Sequence, residues 1–125
     1  MNLTPGWEIV NDEENLLRLA SILRVAGQEN RRASAGGTAL GAALLYAGAA
    51  LGEAPACRAR TVDISGDGEN NEGLGPAAVY RTALFESVTV NTRIVDILRI
   101  KAVQPEEIAL VAWFQSQVLH GPEAF

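Results

Sequence analysis

The chain is poor in the residues that most often build reactive or metal-binding centres. Among its 125 residues there is one cysteine, Cys57, and one histidine, His120. A single cysteine excludes an internal disulfide and a metal site made from several cysteines. Lysine and arginine number only 10 against 15 aspartates and glutamates, and no basic stripe runs along the chain. This shortage of positive charge argues against nucleic acid or an anionic membrane surface as a partner.

A long hydrophobic run is also missing. The most apolar segment, residues 38–51, is shorter than the roughly 20 residues that span a bilayer, and Glu53 soon follows it. Residues 1–10 carry neither the basic start nor the apolar core of a secretion signal. From the chain as it is written, we expect a cytoplasmic protein without a membrane span.

Hydrophobic periodicity predicts strands that alternate with helices. The predicted strands are residues 7–10, 60–65 and 88–98, and the predicted helices are residues 12–25, 36–52, 76–85 and 105–120. This alternation indicates a single domain over residues 1–125 with an α/β fold. We expect three layers, in which a mostly parallel sheet carries helices on both faces.

Two helix ends are predicted in detail. Asn11 is suited to cap the first helix, Glu14 takes the acidic position of a capping box, and Gly27 ends the helix. The apolar stripe of this helix would comprise Leu16, Leu19, Ile22 and Leu23. His120 would lie in the last turn of the final helix, where a cation interacts favourably with the helix dipole.

The main candidate site is the loop after the strand at residues 60–65, which reads Gly66-Asp67-Gly68-Glu69-Asn70-Asn71. Ligands of open α/β sheets bind at the carboxyl ends of strands. A calcium loop is one interpretation, because Asp63, Ser65 and Asp67 take the spacing of its first ligands. Leu74 would then occupy the twelfth position, where it cannot ligate a cation.

A magnesium-dependent phosphatase is a second interpretation. The loop resembles the GDGxND motif of haloacid-dehalogenase-type phosphatases, with Asn71 where that motif has an aspartate. These enzymes also need a nucleophilic aspartate in a DxDx[TV] motif, which does not occur in the chain. Without a nucleophile, covalent phosphoryl transfer has no route. We therefore predict no catalytic residues and keep this enzyme class only as an alternative.

A third interpretation joins two loops. Gly36-Gly37-Thr38-Ala39-Leu40-Gly41 resembles the glycine-threonine loop of von Willebrand factor A (VWA) domains, and Ile64-Ser65-Gly66-Asp67-Gly68 resembles their strand that ends at a metal-site aspartate. A closer resemblance is to a family of uncharacterised bacterial VWA-like proteins. It spans residues 7–125 and is carried by residues 62–71, 75–76, 88–91 and 121–125.

The resemblance implies a metal-ion-dependent adhesion site that is incomplete here. Such sites combine a DxSxS loop with a threonine and an aspartate, which by resemblance are Thr38 and Asp67. The DxSxS motif belongs at the end of the first, central strand of VWA domains, and neither that motif nor that central strand is found in this chain. The resemblance therefore implies a truncated VWA-like domain that acts as a non-catalytic binding or protein-interaction module, with weak binding of Mg²⁺ or another divalent cation. A purely structural relic of such a site is the alternative.

The missing strand also implies an assembly state. In VWA sheets the first strand lies beside the strand that corresponds here to residues 60–65. Without it, that strand has an unpaired edge, which favours pairing with another chain. We expect a homodimer, since a two-fold dimer is the commonest closed assembly, and a protein partner that the sequence does not identify.

Overall fold

The computed structural model describes residues 6–33, 37–95 and 105–125. The chain divides into two compact units, Met1–Gly37 and Thr38–Phe125. Four α-helices, two strands and one short 3₁₀ helix are described. They are α1 (Glu13–Ala33), α2 (Leu40–Gly52), β1 (Arg60–Gly66), α3 (Pro76–Val79), the 3₁₀ helix Ala83–Phe85, β2 (Val88–Ile94) and α4 (Pro105–Gln117).

The first unit differs from its prediction at both ends of α1. The predicted strand at residues 7–10 is wrong, because these residues form no strand, and Ile9 is 82% exposed. The cap of α1 is Asp12 rather than Asn11, since Asp12 Oδ1 accepts a 2.7 Å hydrogen bond from the backbone N–H of Asn15. The helix continues through Gly27, because a glycine lowers helix stability by only about 1 kcal/mol and does not by itself end a helix.

The apolar stripe of α1 is only partly correct. Leu16 and Leu23 are exposed, whereas Leu19 and Ile22 are half-buried. Helical spacing identifies residues that share a face, but it does not supply a surface for that face to cover.

The second unit is built on the parallel pair β1–β2, which runs in register from Arg60↔Val88 to Gly66↔Ile94. Valine, isoleucine and threonine dominate both strands, as the pleated and half-buried surface of a sheet favours. The connection between the strands contains α3 and the 3₁₀ helix, so the predicted helix at residues 76–85 is broken after Val79. These helices around a small parallel sheet confirm the α/β prediction. Residues 96–98, predicted to extend β2, lie outside the described residues.

Helices α2 and α4 pack on the core of this unit. Glycine brings α2 close to its neighbours, because a Cβ at Gly48 would lie 3.0 Å from the ring of Phe85. Phe114 of α4 lies over the end of β1, where a Cβ at Gly66 would be 3.2 Å from its Cζ. The buried apolar residues are Leu40, Leu44, Leu51, Val79, Phe85, Val88, Val90, Phe114 and Val118. Residues of α2, β2 and α4 therefore meet in one core.

The segment after α4 runs along the outer edge of β2. His120 and Val90 form an antiparallel bridge, and the N–H of Thr92 donates to the carbonyl of Phe125 at 2.9 Å. Gly121 has φ 83°, and a Cβ there would lie 2.5 Å from the Val88 carbonyl oxygen, so a glycine is required. The predicted role of His120 in a helical turn is wrong, because α4 ends at Gln117.

Among the described helices, none has the length and apolar character needed to cross a membrane.

Candidate functional site at the end of strand β1

Backbone and amide hydrogen bonds hold the loop before α2 against the loop after β1. The N–H of Thr38 donates to Asn71 Oδ1 at 2.8 Å, and the N–H of Asn71 donates back to the Thr38 carbonyl at 2.9 Å. The N–H of Glu72 reaches the same carbonyl at 3.2 Å. Three hydrogen bonds therefore join two segments that are 33 residues apart in the sequence.

The start of α2 depends on the same loop. Ala39, at the N-cap position, has no side chain that can accept a hydrogen bond from the helix. Asn70 Oδ1 fills this role from outside the helix, accepting from the N–H of Gly41 at 3.1 Å. The four N–H groups at the start of a helix need such acceptors, and an asparagine amide is among the best. Asn70 Nδ2 in turn donates to the Glu72 carbonyl at 3.3 Å, which fixes the orientation of the amide.

Gly41 is required because the loop approaches the helix backbone closely. A Cβ at this position would lie 1.8 Å from the carbonyl oxygen of Leu74. Gly41, the second residue of α2, therefore serves the contact between the helix and the loop after β1. This agrees with the absence from the sequence of the lysine and the spacing that a phosphate-binding loop needs.

Thr38 lies beside the turn that follows β1. A Cβ at Gly68 would be 3.6 Å from Thr38 Oγ1, so the hydroxyl reaches the residue next to Asp67. Asp67 is exposed and Thr38 is half-buried. The two loops that the sequence singles out therefore do come together.

The ligand set at this position is small. No group of three or more histidine, cysteine, aspartate or glutamate side chains that could hold a metal ion occurs in the described parts of the chain. Mg²⁺ favours an octahedral arrangement of oxygens, usually one or two carboxylates together with several waters. Thr38 and Asp67 would supply one hydroxyl and one carboxylate, which fits a weakly held cation better than a tight one.

Asp63 belongs to the sheet and not to the loop. It lies within the regular strand β1, and its Oδ1 accepts a 2.9 Å hydrogen bond from Asn91 Nδ2 on β2. Asn91 is nearly buried, and its Oδ1 accepts from the N–H of Phe125 at 3.3 Å. A calcium loop would need Asp63 in an irregular, encircling backbone, so the geometry disfavours that interpretation.

A separate depression of about 480 Å³ lies beside the only histidine. The rings of His120 and Tyr80 stack at 4.3 Å, and His120 Nε2 is 3.4 Å from the Phe85 carbonyl oxygen. The hydroxyl of Tyr80 donates to the carbonyl of Val118, and burial raises the pKa of Tyr80 above its ordinary value. These contacts anchor the segment after α4, which gives both rings a structural role.

Asn70, Asn71 and Gly41 lie in the two loops that the sequence singled out, but sequence reasoning did not predict that they join these loops. The available signal was indirect. An alanine at the start of α2 implies a capping group from elsewhere, and two consecutive asparagines follow the glycine-rich loop. Their pairing is a long-range contact, which no spacing rule along the chain predicts.

The described geometry is that of a small α/β protein in which two glycine-containing loops meet at the end of a parallel strand. The family model described as Protein of unknown function (DUF1194) matches residues 2–125, and the chain belongs to this family. Membership agrees with the predicted resemblance to an uncharacterised family. No curated protein matches the chain, and no solved structure matches it.

Proposed function

We propose that this protein is a non-catalytic binding module of VWA type, with its binding surface on the paired loops at residues 38–41 and 66–71. The observation that supports this most strongly is the set of three hydrogen bonds between Thr38 and residues Asn71 and Glu72. They hold a threonine hydroxyl beside Gly68 by means of hydrogen bonds between the two loops. A surface built on hydrogen-bonded loops over a rigid sheet is suited to recognition.

In this proposal the surface retains part of a metal-ion-dependent adhesion site. Thr38 and Asp67 are its remaining ligands, and water fills the other positions around Mg²⁺ or another divalent cation. Since only one carboxylate contributes, the cation binds weakly and is exchanged readily. A carboxylate from a protein partner would add a ligand, so that partner binding and cation binding would reinforce each other.

The experiment that tests this surface is a titration with Mn²⁺ followed by NMR of the backbone amides. Mn²⁺ broadens nearby resonances, so it locates even a weak site. We expect the amides of Thr38 and Gly68 to broaden first. The effect should disappear in Asp67→Ala and persist in Glu69→Ala, which removes another exposed carboxylate of the same loop.

Two results would contradict the proposal. Broadening centred on other residues would move the cation site elsewhere. An absence of localised broadening, at Mn²⁺ concentrations that saturate weak sites, would leave the two loops as a structural relic.

A further inference from the structure

The two edges of the β1–β2 sheet differ in what covers them. On β2, the N–H groups of Val90 and Thr92 donate to the carbonyls of His120 and Phe125, so that edge is closed by the end of the chain. On β1, no other strand pairs with the outer edge in the part of the chain that the structure describes. Exposed edges with free N–H and C=O groups pair readily with further strands.

The hydrogen-bond pattern identifies which residues of β1 face outward. The N–H of Val95 donates to the Gly66 carbonyl, and Gly66 pairs with Ile94 in the parallel register. In a parallel ladder the residues of a strand bond alternately to its two neighbours. Gly66 and the residues at even spacing from it therefore bond to β2. The outward N–H and C=O groups belong to Thr61, Asp63 and Ser65, which are all exposed.

This outer edge is complementary to itself when a two-fold axis passes through Val62. In an antiparallel pair with that axis, Thr61 lies opposite the Asp63 of the second copy, so a hydroxyl donor meets a carboxylate. On the opposite face, Val62 lies against Val62 of the second copy, and both are already half-buried over the core. Hydroxyl–carboxylate and β-branched cross-strand pairs both stabilise such an interface.

The neighbouring register is unfavourable. An axis through Asp63 would place two carboxylates directly opposite each other, and like charges at that position destabilise a strand pair. The charges on the edge therefore disfavour the register centred on Asp63.

We propose that a second copy of this chain covers the outer edge of β1, forming an antiparallel β1–β1 pair whose two-fold axis passes through Val62. The two sheets then become one sheet of four strands, and both open edges are removed. The docking uses only the backbone and side chains of β1, so it is independent of the cation-binding proposal.

A proline substitution on the outer edge tests the interface without removing a hydrogen bond between β1 and β2 of the same protomer. Thr61→Pro removes an outward N–H, and symmetry removes it twice in the dimer, so the dissociation constant should rise about ten- to a hundredfold. Val62→Pro is the matched control, because it removes an N–H that bonds to β2 and should lower the melting temperature instead. Light scattering over a dilution series gives the mass, and thermal unfolding gives the stability.

Cysteine cross-linking tests the register of the β1–β1 pair. It also tests the interface if the Thr61→Pro protein fails to fold. In a Cys57→Ser background, Val62→Cys should form a disulfide-linked dimer at least about tenfold faster than Asp63→Cys, because residues next to the axis are within disulfide reach. Faster linking of Asp63→Cys, or equal rates, would overturn the proposed register. A protomer mass of 13.3 kDa at high micromolar concentration, or a Thr61→Pro protein that dimerises like the unsubstituted chain, would overturn the interface.

Discussion

Thr38 and Asn71 are joined by two hydrogen bonds that run in opposite directions. The Thr38 N–H donates to the Asn71 side chain at 2.8 Å, and the Asn71 N–H donates to the Thr38 carbonyl at 2.9 Å. Each bond satisfies a backbone group that a loop would otherwise present to water. The pair holds the two candidate binding loops together by means of the protein's own amide groups.

This relationship predicts a difference between two substitutions of Asn71. Asn71→Ala removes the acceptor for the Thr38 N–H and should lower the free energy of unfolding by about 1 kcal/mol, the usual net value of such a hydrogen bond. Asn71→Asp keeps an acceptor at the same position and should cost less. Urea unfolding measures both. Equal stability of Asn71→Ala and the unsubstituted chain would show that the contact contributes nothing.

Two glycines of α2 provide a second, matched test. Gly41→Ala places a Cβ 1.8 Å from the Leu74 carbonyl oxygen, so the loop must move and the protein should lose at least about 2 kcal/mol of stability. Gly52→Ala, at the other end of the helix, has no atom within 4 Å of its new Cβ and should be neutral or slightly stabilising. Thermal unfolding of the two variants checks this ordering, and a reversed order would contradict the close approach of the two segments.

Because Tyr80 is partly buried, we expect the stability of the protein to fall as the pH rises through the alkaline range. Burial raises its pKa in the folded protein above the value of about 10 expected for an unfolded chain. At pH values above about 10 the unfolded chain releases this proton first, so the stabilisation due to the neutral phenol is present below that pH and declines as the pH rises.

The matched variants are Tyr80→Phe and Tyr46→Phe, the second at an exposed position. We expect the stability of the Tyr80→Phe protein to fall less steeply between pH 9 and 11 than that of the Tyr46→Phe protein. Unfolding free energies measured over this range decide the question. Identical slopes would contradict a raised pKa at Tyr80.

A helix or strand could be predicted from the sequence where its own residues show a clear hydrophobic pattern. β1 has a period of two and ends in glycines, and α2 is a long run of alanine, leucine and glycine, so both were located from sequence to within a few residues. The strand predicted at residues 7–10 failed because an apolar run forms a strand only when a neighbouring strand supplies hydrogen bonds. The sequence of residues 7–10 does not show whether such a neighbouring strand is present.

The sequence singled out the two loops that meet, but it did not reveal the contacts that join them. Thr38 and Asp67 came from the resemblance of two loops to known motifs, and the structure brings those loops together. Asn70 and Asn71 were not predicted as the residues that join them, since an asparagine in a loop has many possible partners. His120 was assigned to a helix end because its partner ring, Tyr80, lies 40 residues earlier and the spacing along α4 gave no sign of it.

We predict that the protein has no phosphatase activity. The chain contains no DxDx[TV] motif that would supply a nucleophile beside the Gly66-Asp67-Gly68 turn. Release of phosphate from a generic aryl phosphate ester in the presence of Mg²⁺ should equal that of a buffer blank. Hydrolysis that requires Mg²⁺ and is lost in Asp67→Asn would contradict a non-catalytic module.

The most direct measurement of the central claim is a calorimetric titration of the protein with Mg²⁺, Mn²⁺ and Ca²⁺, repeated on Asp67→Ala. An incomplete site with one hydroxyl and one carboxylate should give dissociation constants in the millimolar range or weaker, and Asp67→Ala should abolish what binding there is. Glu69→Ala serves as the control for a general loss of negative charge. Micromolar affinity that depends on Asp67 would contradict an incomplete site, because it would require further ligands that complete the coordination of the cation.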